Sequence, residues 1–180
     1  IDARVQKEPK PIILDSGCGT AWSCLYFARQ YPDHWVVGID RSEKRLSKAP
    51  DLPDNVFLIR AELADAWRLM VQAHWRVHSH YVLYPNPYPK ACQLQQRWHG
   101  HPAWPHLLAV CPHLVMRTNA RVYAHEWVQA LHHFRCGDVV HRELDLAEVS
   151  QSPMSAFETK YCASGHPIFE VSTMSAVINL

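Results

Sequence analysis

The sequence predicts a doubly wound α/β domain, a mostly parallel sheet of seven strands with helices on both faces. Short, near-continuous apolar runs recur along the chain, as expected of strands buried on both sides. Helical segments separate them, the pattern of strand–helix–strand crossovers. The length of 180 residues suits one such domain spanning 1–180, with a substantial core, and is short for two.

In chain order, Pro11-Ile12-Ile13-Leu14 is a buried strand that stops at Asp15 and enters the glycine turn Ser16-Gly17-Cys18-Gly19. Ala21 to Gln30 places Trp22, Leu25, Phe27 and Ala28 at mixed helical spacing, and Pro32 closes it. Trp35 to Ile39 is a second strand ending on Asp40, and Asn55 to Ile59 a third ending near Glu62, followed by a helix from Leu63 towards Val71. Tyr81 to Tyr84 is a fourth strand, broken by Pro85, and Leu114 to Met116 a fifth. Val122 to Phe134 reads as a helix, while Val139 to Leu146 and Ile168 to Val171 supply two closing strands. We find no internal repeat and no low-complexity stretch.

Composition excludes several classes. With 48% hydrophobic residues and 18 Lys+Arg against 17 Asp+Glu, the chain is not of the disordered type. No apolar run approaches the ~20 residues that cross a bilayer. A formal net charge of +1 argues against a broad polyanion-coating surface, local patches aside. Six cysteines include no C-x-x-C pair, so neither a zinc ribbon nor a redox motif is supported. They read as core residues or free thiols in a reducing compartment, and with no signal peptide the expected location is cytoplasmic. The chain opens at Ile1 rather than Met, which leads us to expect a trimmed product or fragment lacking an N-terminal element.

In doubly wound sheets, ligands bind beyond the carboxyl ends of the strands, where strand order switches. Three strands deliver carboxylates there: Asp15, Asp40 and Glu62. Gly17 and Gly19 let the backbone approach a ligand closely, and Asp40 is placed to accept two ribose hydroxyls. Either a dinucleotide or S-adenosylmethionine fits that much. The turn favours the second. Thr20, Ala21 and Trp22 follow Gly19, so the third glycine of G-x-G-x-x-G is missing. Asp15 suits the cationic amino group of a methionine moiety and would repel a pyrophosphate.

The string Leu14-Asp15-Ser16-Gly17-Cys18-Gly19-Thr20 resembles motif I of class I S-adenosylmethionine methyltransferases, with Ala21 in place of a usual glycine. After the fourth strand, Tyr84-Pro85-Asn86-Pro87-Tyr88-Pro89-Lys90 stiffens the backbone with three prolines. This segment resembles the F-P-D-P-W-P-K motif of the bacterial tRNA (guanine-N7-)-methyltransferases. Arg117-Thr118-Asn119 with Tyr123 is similar to that family's T-D-x-x-x-Y segment, and Thr159-Lys160-Tyr161 with Gly165-His166 to its T-K-F-E…G-H segment. The matches keep family order from Ile12 to Val171, without the family's N-terminal helical extension. Arg97-Trp98-His99-Gly100-His101-Pro102 points to a divergent branch with R-R-W-H-G-x-P and Y-P-N-P-W-P-K patterns.

The resemblance implies a Rossmann-like sheet with an antiparallel last strand and S-adenosyl-L-methionine as cofactor. It implies cofactor contacts at Asp15, Gly17, Gly19, Asp40 and Glu62, and Asn86 in the catalytic aspartate's position. It implies acceptor contacts at Lys90, Asn119, Thr159, Lys160 and on to Cys162, on tRNA or another nucleic acid. Asn86, Asn119 and Cys162 replace carboxylates. A carboxylate accepts both the N1–H and the amino group of guanine, whereas Asn offers one acceptor oxygen. Adenine, cytosine or a protein amide therefore stay open as acceptors, Asn-Pro-aromatic also resembling the N-P-P-Y loop of amino-directed methyltransferases. A methyltransferase-fold binding protein that has lost transfer is the alternative from another class. An NAD(P) oxidoreductase is disfavoured by Asp15 and the missing glycine.

From Ala66 to His125 there is no Asp or Glu, while Arg68, Arg76, Lys90, Arg97, Arg117 and Arg121 fall there. This predicts a locally positive segment for phosphate contacts, with Tyr88, Trp98 and Trp104 as stacking candidates for a splayed base. The 13 histidines form close pairs such as His78-x-His80, but without helical H-E-x-x-H spacing or adjacent carboxylates no metal site is expected. They are expected to add pH-dependent positive charge to the acceptor face.

Overall fold

A computed structural model describes residues 7–174. Seven strands form one sheet in the order β3-β2-β1-β4-β5-β7-β6, where β1 is Ile12–Ser16, β2 Trp35–Asp40, β3 Val56–Arg60, β4 Val77–Leu83, β5 Leu114–Thr118, β6 Val139–Glu143 and β7 Phe169–Thr173. The pairs from β3 to β5 are parallel, and β7 runs antiparallel to both β5 and β6. This is the Rossmann-like sheet with its antiparallel last strand.

Helices α1 (Trp22–Gln30), α2 (Glu43–Leu46), α3 (Leu63–Gln72), α4 (Trp104–Val110), α5 (Arg121–His133), α6 (Leu146–Gln151) and α7 (Ala156–Ser164) connect the strands. Pleating sorts β1 between two cores. Ile12 and Leu14 pack with Trp67 and Met70 of α3, Leu107 of α4 and Trp127 of α5. Ile13 packs with Phe27 and Ala28 of α1 and with Tyr81 and Val115 on the opposite face. No helix among the described residues is long and apolar enough to cross a membrane.

Some elements differ from the sequence reading. Strand β4 begins at Val77, four residues before the apolar run, because His78, Ser79 and His80 continue it. Their polarity disguises a strand whose Ser79 bonds His113 at 2.9 Å and whose His80 bonds Ser16 at 2.8 Å. Strand β6 stops at Glu143, since Asp145 accepts the Ala147 amide at 2.8 Å and starts α6. Helix α4 has Pro105 in its first turn, where a missing N–H costs nothing.

Candidate active site

Strand β1 has β2 on one side and β4 on the other, so the order switches between β1 and β4, the place where such sheets bind ligands. A cavity of about 530 Å³ opens there, within the range of small-molecule sites. One wall carries Ser16, Gly17, Asp40, Arg41, Arg45 and Glu62; the other carries Tyr84, Asn86, Tyr88, Trp98 and His101.

The glycine turn is fixed to β2. The amides of Gly17 and Cys18 both donate to the Ile39 carbonyl, at 2.7 and 3.0 Å. Gly17 and Gly19 have φ of 84° and 60°, the left-handed region that glycine enters without penalty. Asp40 is buried, and its two oxygens accept the Gly19 amide at 3.0 Å and the Ser42 amide at 2.8 Å. A carboxylate has about four acceptor positions; the two amides take two and Arg45 Nη1 stands 3.5 Å from Oδ2, so Asp40 keeps acceptor capacity for a ribose hydroxyl. Gly38 lets the turn and α1 close onto β2: a Cβ there would lie 2.5 Å from Cys24 Sγ and 3.0 Å from Cys18 Sγ. Gly38 thus permits the close helix–strand packing that the third glycine provides in G-x-G-x-x-G.

Asp15 is placed differently. The pleat turns it away from the cavity that Ser16 lines, and its carboxylate accepts from Ser23 and Cys24 of α1. Burial raises its pKa to about 6, against the lowering effect of those two bonds. Beneath the cavity, the Trp67 indole donates to Ser16 Oγ at 2.9 Å, and Ser16 meets His80 Nε2. Burial lowers the His80 pKa to about 3, so its imidazole is neutral.

The proline-stiffened segment forms the other wall. Tyr84 and Tyr88 sit at φ of 52° and 42°, uncommon for bulky side chains and stable only where the surroundings enforce them. Between them, exposed Asn86 accepts the Tyr88 amide at 3.2 Å. Arg97 holds the Tyr88 carbonyl through Nε and Nη2, at 3.1 and 3.0 Å, while its Nη1 pairs with Glu126. At the other end, Arg117 pairs with Glu158 at 3.0 Å and with Glu170 at 2.8 Å.

Gly17, Asp40, Glu62 and Asn86 thus line one cavity, with Gly19 bonded to Asp40 behind it. Lys90, Asn119, Thr159 and Lys160 do not line it. Thr159 borders a separate groove between α1 and α7, with Trp22 and Met154. Trp104 is not available for stacking: it is 1% exposed and packs edge-on against Trp127. The positive segment is also largely cancelled. Arg68, Arg97, Arg117 and Arg121 are paired with Asp65, Glu126, Glu158, Glu170 and Glu143; all five acids lie outside the acid-free stretch, Asp65 and Glu126 at its edges and the other three brought in by the fold. His101 lines the cavity, but of the other histidines His80 is buried and uncharged. Arg41, Arg45 and Gln96 are cavity residues that the sequence reading missed, Arg41 directly following Asp40 at the end of β2 and Arg45 lying in α2.

A family model with the description "Putative methyltransferase" matches residues 9–171. The chain belongs to this methyltransferase family. The cofactor of the family is S-adenosylmethionine, and the spare acceptor capacity of Asp40 beside an open glycine turn fits it. Solved methyltransferases share the fold. An antibiotic-related methyltransferase is 16% identical over 97% of this chain and 92% of its own, with a TM-score of 0.65. A 16S rRNA (adenine(1408)-N(1))-methyltransferase from Catenulisporales acidiphilia, solved with its cosubstrate SAM, is 18% identical over 99% and 91%, also with a TM-score of 0.65. The plantazolicin methyltransferase BpumL, solved with SAH, is 14% identical over 91% and 76%, with a TM-score of 0.53. No curated protein sequence matches significantly.

Proposed function

We propose that this methyltransferase acts on tRNA, as a guanine-N7 type enzyme or a close paralogue acting on a related nucleobase, and that residues 1–180 form one catalytic domain. The observation that carries the reading is the shared cavity, with Asp40 and Gly17 on one wall and Asn86, Tyr88 and Trp98 on the other. The motif order from Ile12 to Val171 supports it.

S-adenosylmethionine supplies an electrophilic methyl group when bound. Asp40 accepts a ribose hydroxyl, Gly17 and Gly19 admit the ligand against the backbone, and Glu62 contacts it from the start of α3. Asp15, bonded to α1, braces the turn from beneath. Asn86 contacts the acceptor, and Tyr88 and Trp98 offer faces on which a base stacks. Lys90, Asn119, Thr159 and Lys160 contact the RNA outside the cavity. Because N7 of guanine has a lone pair and no proton, transfer calls for in-line placement rather than a base. A side chain that holds the acceptor still, as Asn86 does in its rigid loop, is sufficient.

Calorimetric titration with S-adenosylhomocysteine, with Asp40→Ala as the control, tests the cofactor half. Binding that weakens sharply in the variant is expected, and no binding by the native chain would overturn the enzyme reading. Transfer of labelled methyl to bulk tRNA tests the acceptor half. Cofactor binding without transfer to any RNA would favour a protein that keeps the cofactor site and has lost transfer.

A further inference from the structure

The loop after β4 commits the Asn86 oxygen to a backbone donor. The Tyr88 amide N–H can only donate, so the side-chain atom 3.2 Å from it is the Asn86 oxygen. Reversing the amide would set N–H against N–H. The loop that holds this arrangement is constrained by Pro85, Pro87 and Pro89, by left-handed backbones at Tyr84 and Tyr88, and by Arg97 on the Tyr88 carbonyl. Among the described residues the Asn86 amide nitrogen has no hydrogen-bond partner, and Asn86 lines the cavity. With one lone pair of the oxygen engaged by the backbone, the two N–H donors are the larger part of what it has left to offer an acceptor base.

We propose that Asn86 reads O6 of guanine by donation, so that the enzyme recognises the Hoogsteen edge of its base rather than the N1–H and 2-amino groups. The inference rests on the functional reading above. Guanine presents two acceptors side by side on that edge, O6 and N7, whereas adenine presents its N6 amino donor beside N7. A donating Asn86 therefore favours guanine, and against adenine it would set donor against donor, an unpaired arrangement that costs affinity. An exocyclic amine as methyl acceptor is disfavoured for the same reason. With O6 held, N7 is the adjacent nucleophile. Its lone pair forms the new N–C bond while the methyl–sulfur bond breaks and its electron pair returns to sulfur. The sulfonium becomes a thioether, the purine takes up the positive charge, and no proton has to leave. An amide is as competent here as a carboxylate.

The test begins by mapping the guanine in tRNA that takes labelled methyl. The same tRNA is then assembled with inosine or 6-thioguanine at that position. Inosine keeps O6, N7 and N1–H and lacks the 2-amino group; 6-thioguanine keeps N1–H, the amino group and N7 and puts a weakly accepting sulfur in place of O6. We expect inosine to react within about 3-fold of guanine and 6-thioguanine to fall by more than about 10-fold, the scale of one lost hydrogen bond. Asn86→Asp keeps an oxygen for the Tyr88 amide but turns a second acceptor to O6. It should lose at least about 10-fold in kcat/KM with S-adenosylhomocysteine binding unchanged. Inosine falling while 6-thioguanine reacts like guanine, or an Asn86→Asp enzyme as fast as the native one, overturns the Hoogsteen assignment while leaving guanine methylation standing. Absence of label on any guanine overturns the functional reading, and this inference with it.

Discussion

Tyr84 and Glu158 lie 74 positions apart and meet in a 3.2 Å hydrogen bond from the phenol to the carboxylate. Glu158 is completely buried in α7, where it also accepts from Arg117 at 3.0 Å and from the Met154 amide at 2.7 Å. Arg117 continues to Glu170, which Arg142 closes off from the far side. This network joins β5, β7 and α7 to the residue that opens the proline-stiffened loop. Removing Glu158 takes one of two carboxylates from buried Arg117 and leaves the Tyr84 hydroxyl and the Met154 amide without their acceptor. Glu158→Ala should therefore cost about 3–5 kcal/mol, whereas Tyr84→Phe, which deletes one hydroxyl, should cost about 1 kcal/mol. Chemical denaturation of the two variants gives the comparison, and equal losses would show that the arginine does not depend on Glu158.

Asp15 makes stability depend on pH in an unusual direction for a carboxyl. Its pKa rises on folding from the ordinary 3.8 to about 6, so the folded state holds a proton that the unfolded state has released. Its contribution is present at pH below 3.8 and lost as pH rises through 6. Asp15→Asn should remove about 2 kcal/mol of that decline between about pH 4.5 and 6.5. Unfolding free energies of both proteins at the two pH values measure it.

His80 pulls the other way over the same range. Its pKa falls on folding from 6.5 to about 3, so below 6.5 only the unfolded state gains a proton and stability declines as pH drops. The size is again about 2 kcal/mol between about pH 6.5 and 4.5. Asp15 and His80 should nearly cancel in the native protein. Asp15→Asn would then become acid-sensitive, and His80→Gln, with an amide in place of Nε2 beside Ser16, would become more stable in acid relative to neutral pH. If Asp15→Asn shows no added acid sensitivity, one of the two groups is hydrated in the fold.

Much of the sheet was legible because β1, β2 and the apolar part of β4 are continuous hydrophobic runs, and because each of the first two ends on an acid. The cavity was legible in Gly17, Asp40, Glu62 and Asn86, which sit at strand ends where topology alone places them. Three things were hidden. The polar half of β4 looks like a loop until Ser16 and His113 are seen as partners. The acid-free stretch suggests a positive surface, but pairing across the fold brings Glu126, Glu158 and Glu170 to its arginines. The side of β1 on which Asp15 falls depends on where the pleat ends, and the motif by itself does not register that.

Ala21 stands where the resembled motif has glycine, and the structure shows why. Its φ is 60° and its side chain is fully buried. A left-handed alanine costs about 1–2 kcal/mol, which glycine would relieve while losing a buried methyl worth about 0.8 kcal/mol and gaining unfolded-state freedom. Ala21→Gly should thus shift stability by less than about 1 kcal/mol. Ala21→Val adds a β-branch at left-handed φ in a filled core and should cost more than about 2 kcal/mol. Thermal melts of the pair separate strain at this position from simple loss of volume.

Arg97 braces the loop that carries Asn86 without lining the cavity. It spans from the Tyr88 carbonyl to Glu126, and the adjoining Trp98 amide donates to the Tyr123 hydroxyl at 3.2 Å. These bonds hold one end of the loop that carries Asn86 to α5. Lysine keeps the charge but cannot supply the planar fork that makes three bonds at once. Arg97→Lys should free the Tyr88 backbone from its left-handed geometry and blur the position of Asn86, while Asp40 and the glycine turn stay as they are. On the proposed function, the expected result is a fall of about 10-fold or more in kcat/KM for the tRNA acceptor, with S-adenosylhomocysteine affinity within about 2-fold of native. A parallel loss of cofactor affinity would mean that Arg97 supports the whole cavity; an unchanged kcat/KM would mean that the prolines alone suffice to hold the loop.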